Sequence, residues 1–193
     1  MNYCSNCGTP LVQKVPPGDN RTRFVCEECH MIHYQNPKIV AGCVPEWEEK
    51  VLLCRRAIAP RYGRWTLPAG FMENDETALE AALRETHEEA NARVEIIELF
   101  TLFNLPHVNQ VYIMFRSRLL DLDYEAGEET LEVKLFAQDE IPWDELAFQT
   151  IYETLRFYFN DQRDGQFRFH MGDIVKHKDR AGFVARRYEA AKG

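Results

Sequence analysis

The stretch "GFMENDETALEAALRETHEEANA", residues 70–92, crowds Arg84, Glu85, Glu88 and Glu89 into one segment with helical spacing. Asn74 or Asp75 is positioned to cap the start of a helix over 75–90, and Asn91 to close it in a left-handed conformation. On a helical wheel Leu79, Leu83, Thr86 and Ala90 fall on one side and read as the core stripe. Glu85, Glu88 and Glu89 gather roughly 140° away, with Ala78, Ala81 and Ala82 beside them. Glu80 and Glu88 are each four residues from Arg84 and can pair with it, which leaves Glu85 and Glu89 facing each other at the repulsive i,i+4 spacing. Two readings stand at this point. Either the face is solvated and merely acidic, or its oxygens await a hard divalent cation such as Mg²⁺, which takes a few carboxylates together with substrate phosphates.

Outside the helix the chain bounds the choices. It has 193 residues, 45% of them hydrophobic, enough for one full domain and a small module. A formal net charge of -8 argues against a general nucleic-acid or membrane-surface binder. No apolar run is long enough to span a bilayer, and "MNYCSNCGTP" lacks the pattern of an export signal, so a cytoplasmic protein is expected. Four of the six cysteines form two C-x-x-C pairs, Cys4/Cys7 and Cys26/Cys29, with 18 residues between them. That spacing suits a four-thiolate Zn²⁺ site, and a module this small needs such a staple. His30 and His33 are then spare, and Cys43 and Cys54 read as buried small hydrophobes.

The expected organisation is a zinc ribbon over 1–36, a larger domain over 37–160 and a polar C-terminal tail over 161–193. Two strands joined near Glu48–Lys50, two more in "VEIIELFTLF" and "NQVYIMFRSRLL", a strand in "LEVKLFA" and an amphipathic helix in "WDELAFQTIYETLRFYF" are read from pattern. In that helix Leu146, Ile151, Leu155 and Phe159 are core candidates.

The whole of residues 70–92 resembles the Nudix box, G-x5-E-x7-R-E-U-x-E-E-x-G-U, with U aliphatic. Gly70, Glu76, Arg84, Glu85, Glu88 and Glu89 stand at the required positions; Thr86, Asn91 and Ala92 depart from it. Asn at the late Gly is mild, because Asn tolerates the left-handed region. The resemblance implies an α/β fold, an α/β/α sandwich around a mixed sheet, that hydrolyses a nucleoside diphosphate linked to another group, with Mg²⁺ or Mn²⁺. It implies Glu85, Glu88, Glu89 and the Ala69 carbonyl as metal ligands. Arg84 would orient the glutamates, and Gly70 and Glu76 would brace the loop. The general base would be a box glutamate such as Glu89 or a downstream one, Glu129 in preference to Glu128.

The ribbon narrows the branch to enzymes similar to FAD or ADP-ribose pyrophosphatases and NADH pyrophosphatases. The S-Q-P-W-P-F-P-x-S motif of NADH enzymes is absent from "LFTLFNLPHVNQVYIMF". An FAD or ADP-ribose substrate, giving AMP and a second phosphomonoester, is therefore expected. The alternatives are NADH or NAD-capped RNA, or a non-catalytic metabolite sensor. Arg55 and Arg64 are candidates for phosphate, with Arg56 as the competing neighbour, since adjacent strand residues face opposite ways. Phe103 and Tyr112 lead the stacking candidates, ahead of His107 and Phe115. A nucleotide is the expected partner, nucleic acid and membrane are not, and a homodimer is expected from the family.

Overall fold

A computed structural model describes residues 1–176 and 183–188. The chain divides into two compact units, Met1–Pro37 and Lys38–Gly193.

The first unit holds three short antiparallel strands in the order β1-β2-β3: β1 (Val12–Lys14), β2 (Arg23–Val25) and β3 (Ile32–His33). Its buried residues are few, chiefly Cys4, Val25, Cys26 and His33. The Gly8 amide donates to the Cys4 carbonyl at 2.9 Å, closing the first knuckle. Gly8 turns there with φ 76°, a region glycine enters without steric cost.

The second unit is a mixed sheet between two helices. Its strands are β4 (Lys38–Trp47), β5 (Lys50–Arg56), β6 (Trp65–Thr66), β7 (Ala69–Phe71), β8 (Val94–Leu105), β9 (Gln110–Leu119), β10 (Thr130–Phe136), β11 (His170–Lys176) and β12 (Phe183–Arg187). The order is β10-β5-β4-β9-β8-β11-β12, with β4/β9 and β8/β11 parallel. Strands β4 and β5 part after two residue pairs; β7 then pairs with β4 and β6 with β5. The fork opens the sheet where a ligand can enter.

Strand alternation builds the layers. Ala41 and Cys43 of β4 pack with Ala81 and Ala82 of α1 (Ala78–Ala90). Val44, next along β4, packs instead with Val51, Leu53, Phe100 and Met114, and with Ile151, Leu155 and Phe159 of α2 (Gln149–Asp164). Neighbouring residues thus serve opposite faces, and the unit is an α/β/α sandwich.

Four local expectations change. The core side of α1 carries Ala81, Ala82, Thr86, Glu89 and Ala90, while Leu79 is 41% exposed. The alanines lie against the sheet because their size lets helix and strand approach closely; they are not open space beside the acids. Its cap is Thr77, whose Oγ1 accepts from the Glu80 amide while Glu80 accepts from the Thr77 amide. That reciprocal box was written in T-x-x-E. Helix α2 begins at Gln149 because the Ala147 amide pairs with the Trp65 carbonyl at 2.8 Å, holding the preceding chain extended. Of the stretch 161–193, expected as a polar tail, the described residues supply the end of α2 and strands β11 and β12; residues 177–182 and 189–193 lie outside the described residues. Buried Asp161 accepts from the Arg168 amide and bonds His170 at 2.7 Å, which turns the chain back beside β8. Polar residues do this work, so composition hid it.

Candidate active site

The Glu-rich face of α1 meets the fork between β4 and β5. Glu89 is 8% exposed, and its Oε2 accepts from the Ala69 amide at 3.1 Å. Glu85 lies half-buried over Gly70, where a side-chain Cβ would come within 2.2 Å of its carboxyl carbon. Glycine at 70 is thus a packing requirement. Glu88 is exposed.

Arg84 organises this face. Its Nε donates to Glu76 Oε2 at 3.0 Å and one terminal nitrogen to Glu76 Oε1 at 2.7 Å. The other terminal nitrogen bonds both Glu85 (2.7 Å) and Glu88 (3.0 Å). Its reach to the Phe71 carbonyl at 3.1 Å ties the loop after β7 to the helix. The two-point contact with Arg84, aided by the Glu73 amide, pulls the Glu76 carboxyl down to about 2.

A second segment closes the C-terminal end of α1. The Glu125 amide donates to the Ala90 carbonyl at 3.0 Å and the Gly127 amide to the Glu89 carbonyl at 3.1 Å, satisfying helix-end acceptors. Gly127 lies so close that an added Cβ would sit 1.8 Å from the Glu88 carbonyl oxygen. Nothing in the sequence pattern singled out this glycine. The contact carries Glu129 to the wall of a cleft of about 600 Å³, which Glu85, Glu89, Ala69 and Gly70 also line. Glu128 is not among the lining residues.

Burial raises the Glu89 carboxyl to about 8, opposed by the Ala69 amide and reinforced by Glu85; Arg56 lowers it and Glu129 raises it further. Burial likewise raises Glu85, against the pull of Arg84. A buried carboxylate with one amide donor and acidic neighbours is under-compensated, and a hard cation fits that deficit. Glu85, Glu88, Glu89 and the Ala69 carbonyl supply oxygens of the right kind. Arg84 holds Glu85 and Glu88 as its own partners, so the oxygens do not converge as tightly as the cysteine sulfurs of the first unit. Among the described residues, Cys4, Cys7, Cys26 and Cys29 alone bring such a set of donor atoms within 4.8 Å of one another. All are free thiols, with Cys4–Cys29 at 3.6 Å and Cys7–Cys26 at 3.4 Å. His33 contacts Cys4 Sγ at 3.3 Å from outside this group.

The substrate-facing candidates divide. Tyr112 lines the cleft, as does His107. Phe103 is 1% exposed and stacks on Phe157 in the core. Arg55 points away, to the Gly63 carbonyl and Glu132, and its neighbour Arg56 takes the cleft side. Arg64 is spent on the Asp144 carbonyl at 2.6 Å and is not part of the cleft. Strand alternation demanded one arginine of the pair; only the register of β5 decided which. Phe148, Gln149 and Thr150 also line the cleft; α2 begins only at Gln149, so these residues stand at its start and not inside it as the pattern of 143–159 predicts.

Comparison with known proteins agrees with this geometry. Residues 36–157 match the NUDIX domain family and residues 2–35 the Nudix N-terminal zinc ribbon. A NUDIX hydrolase from Nitrosomonas europaea, known from its crystal structure, is 56% identical, with a TM-score of 0.89 over 91% of this chain and 100% of that one. The ADP-ribose pyrophosphatase of Methanocaldococcus jannaschii is 30% identical over 121 residues, 60% of this chain and 69% of that protein. The NAD-capped RNA hydrolase NudC of Salmonella heidelberg is 27% identical over 149 residues, 72% of this chain and 53% of that protein. The chain thus spans about half the length of the NudC enzymes it matches. With Glu85 and Glu89 at the cleft and the family match running through most of the second unit, the chain belongs to the Nudix hydrolase family, in the branch with an N-terminal zinc ribbon.

Proposed function

We propose that the cleft hydrolyses the pyrophosphate bond of a nucleoside diphosphate linked to a second group, with ADP-ribose or FAD as substrate. The products are AMP and ribose 5-phosphate or FMN. The observation that carries this is Glu89: a carboxylate 8% exposed, held by one backbone amide, beside Glu85 and Glu129 on the wall of a large cleft. Glu85, Glu88, Glu89 and the Ala69 carbonyl would hold Mg²⁺ or Mn²⁺. Such ions supply positive charge that offsets the repulsion between a pyrophosphate and an incoming nucleophile. Arg84 holds Glu85 and Glu88 by hydrogen bonds, and Glu76 keeps Arg84 in place. Glu129 accepts the proton of the attacking water, a role its place on the cleft wall supports over Glu128. Tyr112 and Arg56 contact substrate.

The name of the Methanocaldococcus relative favours ADP-ribose, and the NudC relatives keep NADH and NAD-capped RNA as the second reading. A metabolite sensor without catalysis is disfavoured by the full set of box glutamates. The four cysteines hold a structural Zn²⁺. A homodimer working in the cytoplasm completes the reading; no helix among the described residues is long and apolar enough to cross a membrane.

A panel of ADP-ribose, FAD and NADH with Mg²⁺ or Mn²⁺, read by product identity, tests it. AMP with ribose 5-phosphate or FMN is expected, and Glu89→Gln should lower kcat by about 100-fold or more with the fold intact. Tight binding of a metabolite without turnover would instead make the chain a sensor.

A further inference from the structure

We propose that the first turn of α2, with Thr150 and Arg56, forms a phosphate-binding subsite in the cleft, made of residues other than the glutamates. Its ligand would be the phosphate on whichever half of the substrate lies away from Glu85 and Glu89; that assignment rests on the hydrolase reading above.

Three observations converge. Phe148 is the N-cap of α2 and has no side-chain acceptor; the Ile151 and Tyr152 amides donate to its carbonyl, which leaves the Gln149 and Thr150 amides without the cap that Thr77 gives α1. Exposed helix-start amides carry partial positive charge and attract anions. Ala147, Phe148, Gln149 and Thr150 all line the cleft, so this helix start adjoins it rather than bulk solvent. Independently, Thr150 is 1% exposed and its Oγ1 has no hydrogen-bond partner among the described residues. A buried hydroxyl without a partner destabilises a fold, and native structures leave few of them. A ligand oxygen at the helix start would satisfy it.

Arg56 supplies the charge. It lines the same cleft with its guanidinium 5.2 Å from the centre of the Phe148 ring. Its Nε donates to the Pro60 carbonyl at 3.0 Å, while its terminal nitrogens meet no acceptor among the described residues. The Gln149 side-chain Nε2 is committed elsewhere, donating to Glu153 at 3.0 Å, and its backbone amide is not part of that bond. The groups left for a ligand are mainly donors: the Gln149 and Thr150 backbone amides, the Thr150 hydroxyl and the Arg56 guanidinium. Donors of this kind suit a phosphate better than a nucleobase edge, which presents donors and acceptors together.

The test is a titration of the full chain with inorganic phosphate, without added Mg²⁺ or Mn²⁺, following the Gln149 and Thr150 amide resonances. Saturable shifts are expected with phosphate and none with adenosine. Thr150→Val should weaken phosphate about tenfold and Thr150→Ser should restore it, because only the hydroxyl differs. Arg56→Gln should weaken it as well. The proposal is overturned if phosphate leaves these amides unmoved, if adenosine moves them instead, or if Thr150→Val binds phosphate as tightly as wild type. Should that variant fail to fold, the wild-type titration with the two ligands still decides. No catalysis enters the experiment, so a failed substrate panel and a failed subsite remain separate results.

Discussion

Arg84 joins three carboxylates, and the consequence reaches beyond the site. Its contact with Glu76 holds that carboxyl near 2 against an ordinary 4.5. A carboxylate depressed by folding stabilises the native state above its unfolded value, and that contribution fades as pH falls through the folded value. Wild type should therefore melt above Glu76→Gln at pH 7, with the gap narrowing as pH drops from about 4.5 toward 2. Thermal scans of both proteins across that range measure it; a gap independent of pH would mean that the pair contributes nothing through ionisation. At this scale helical spacing was informative for Glu88, four residues from Arg84 and bonded to it; Glu80, at the same spacing on the other side, is taken by the Thr77 cap, and Arg84 turns to Glu76 instead. The sequence was uninformative for Arg55 and Phe103. Both belong to regular strands, and alternation leaves the choice of face to packing.

At the scale of elements, the expected core stripe of α1 is half right: Thr86 and Ala90 are fully buried, while Leu79 is exposed and Leu83 only partly covered. Leu79 and Leu83 looked like anchors because they are large and apolar. The sheet instead takes Ala81 and Ala82, and Glu89 comes in with them. Small side chains bring backbone closer to backbone, and hydrophobicity ranking does not register that gain. The loop after β9 makes the same point through Gly127, pressed against the Glu88 carbonyl. Gly127→Ala should push this loop off α1, lower stability by about 2 kcal/mol and reduce turnover more than substrate binding, since Glu129 rides on the loop. Denaturation together with steady-state kinetics would check it; unchanged kcat with lowered stability would remove Glu129 from the proposed mechanism.

Taken whole, the molecule joins two units with different sources of stability. The second buries an aromatic core, with Phe100, Phe157, Tyr158 and Phe159 all nearly inaccessible. The first has few buried side chains and brings four cysteine sulfurs within 4.8 Å of one another. Modules below about 40 residues rarely fold on such a core without a metal or disulfides. We expect about one zinc per chain by elemental analysis. Chelation should abolish hydrogen-exchange protection in β1–β3 while the amides of β4, β8 and β9 stay protected. Full protection of β1–β3 in metal-free protein would rule out the staple.

Family, ribbon and the identity of the box residues were determined by sequence alone, because each depends on local spacing. Two cysteines three apart share a turn, and residues four apart share a helix face whatever surrounds them. The cleft was decided by tertiary structure. Which arginine enters it, where α2 begins, that β11 comes home beside β8, and that Glu89 is buried against Ala69 all follow from contacts between segments distant in sequence. The crowded glutamates of residues 70–92 were visible as a pattern. Their sharp difference in burial, Glu89 inside and Glu88 outside, came only from the sheet that α1 packs against.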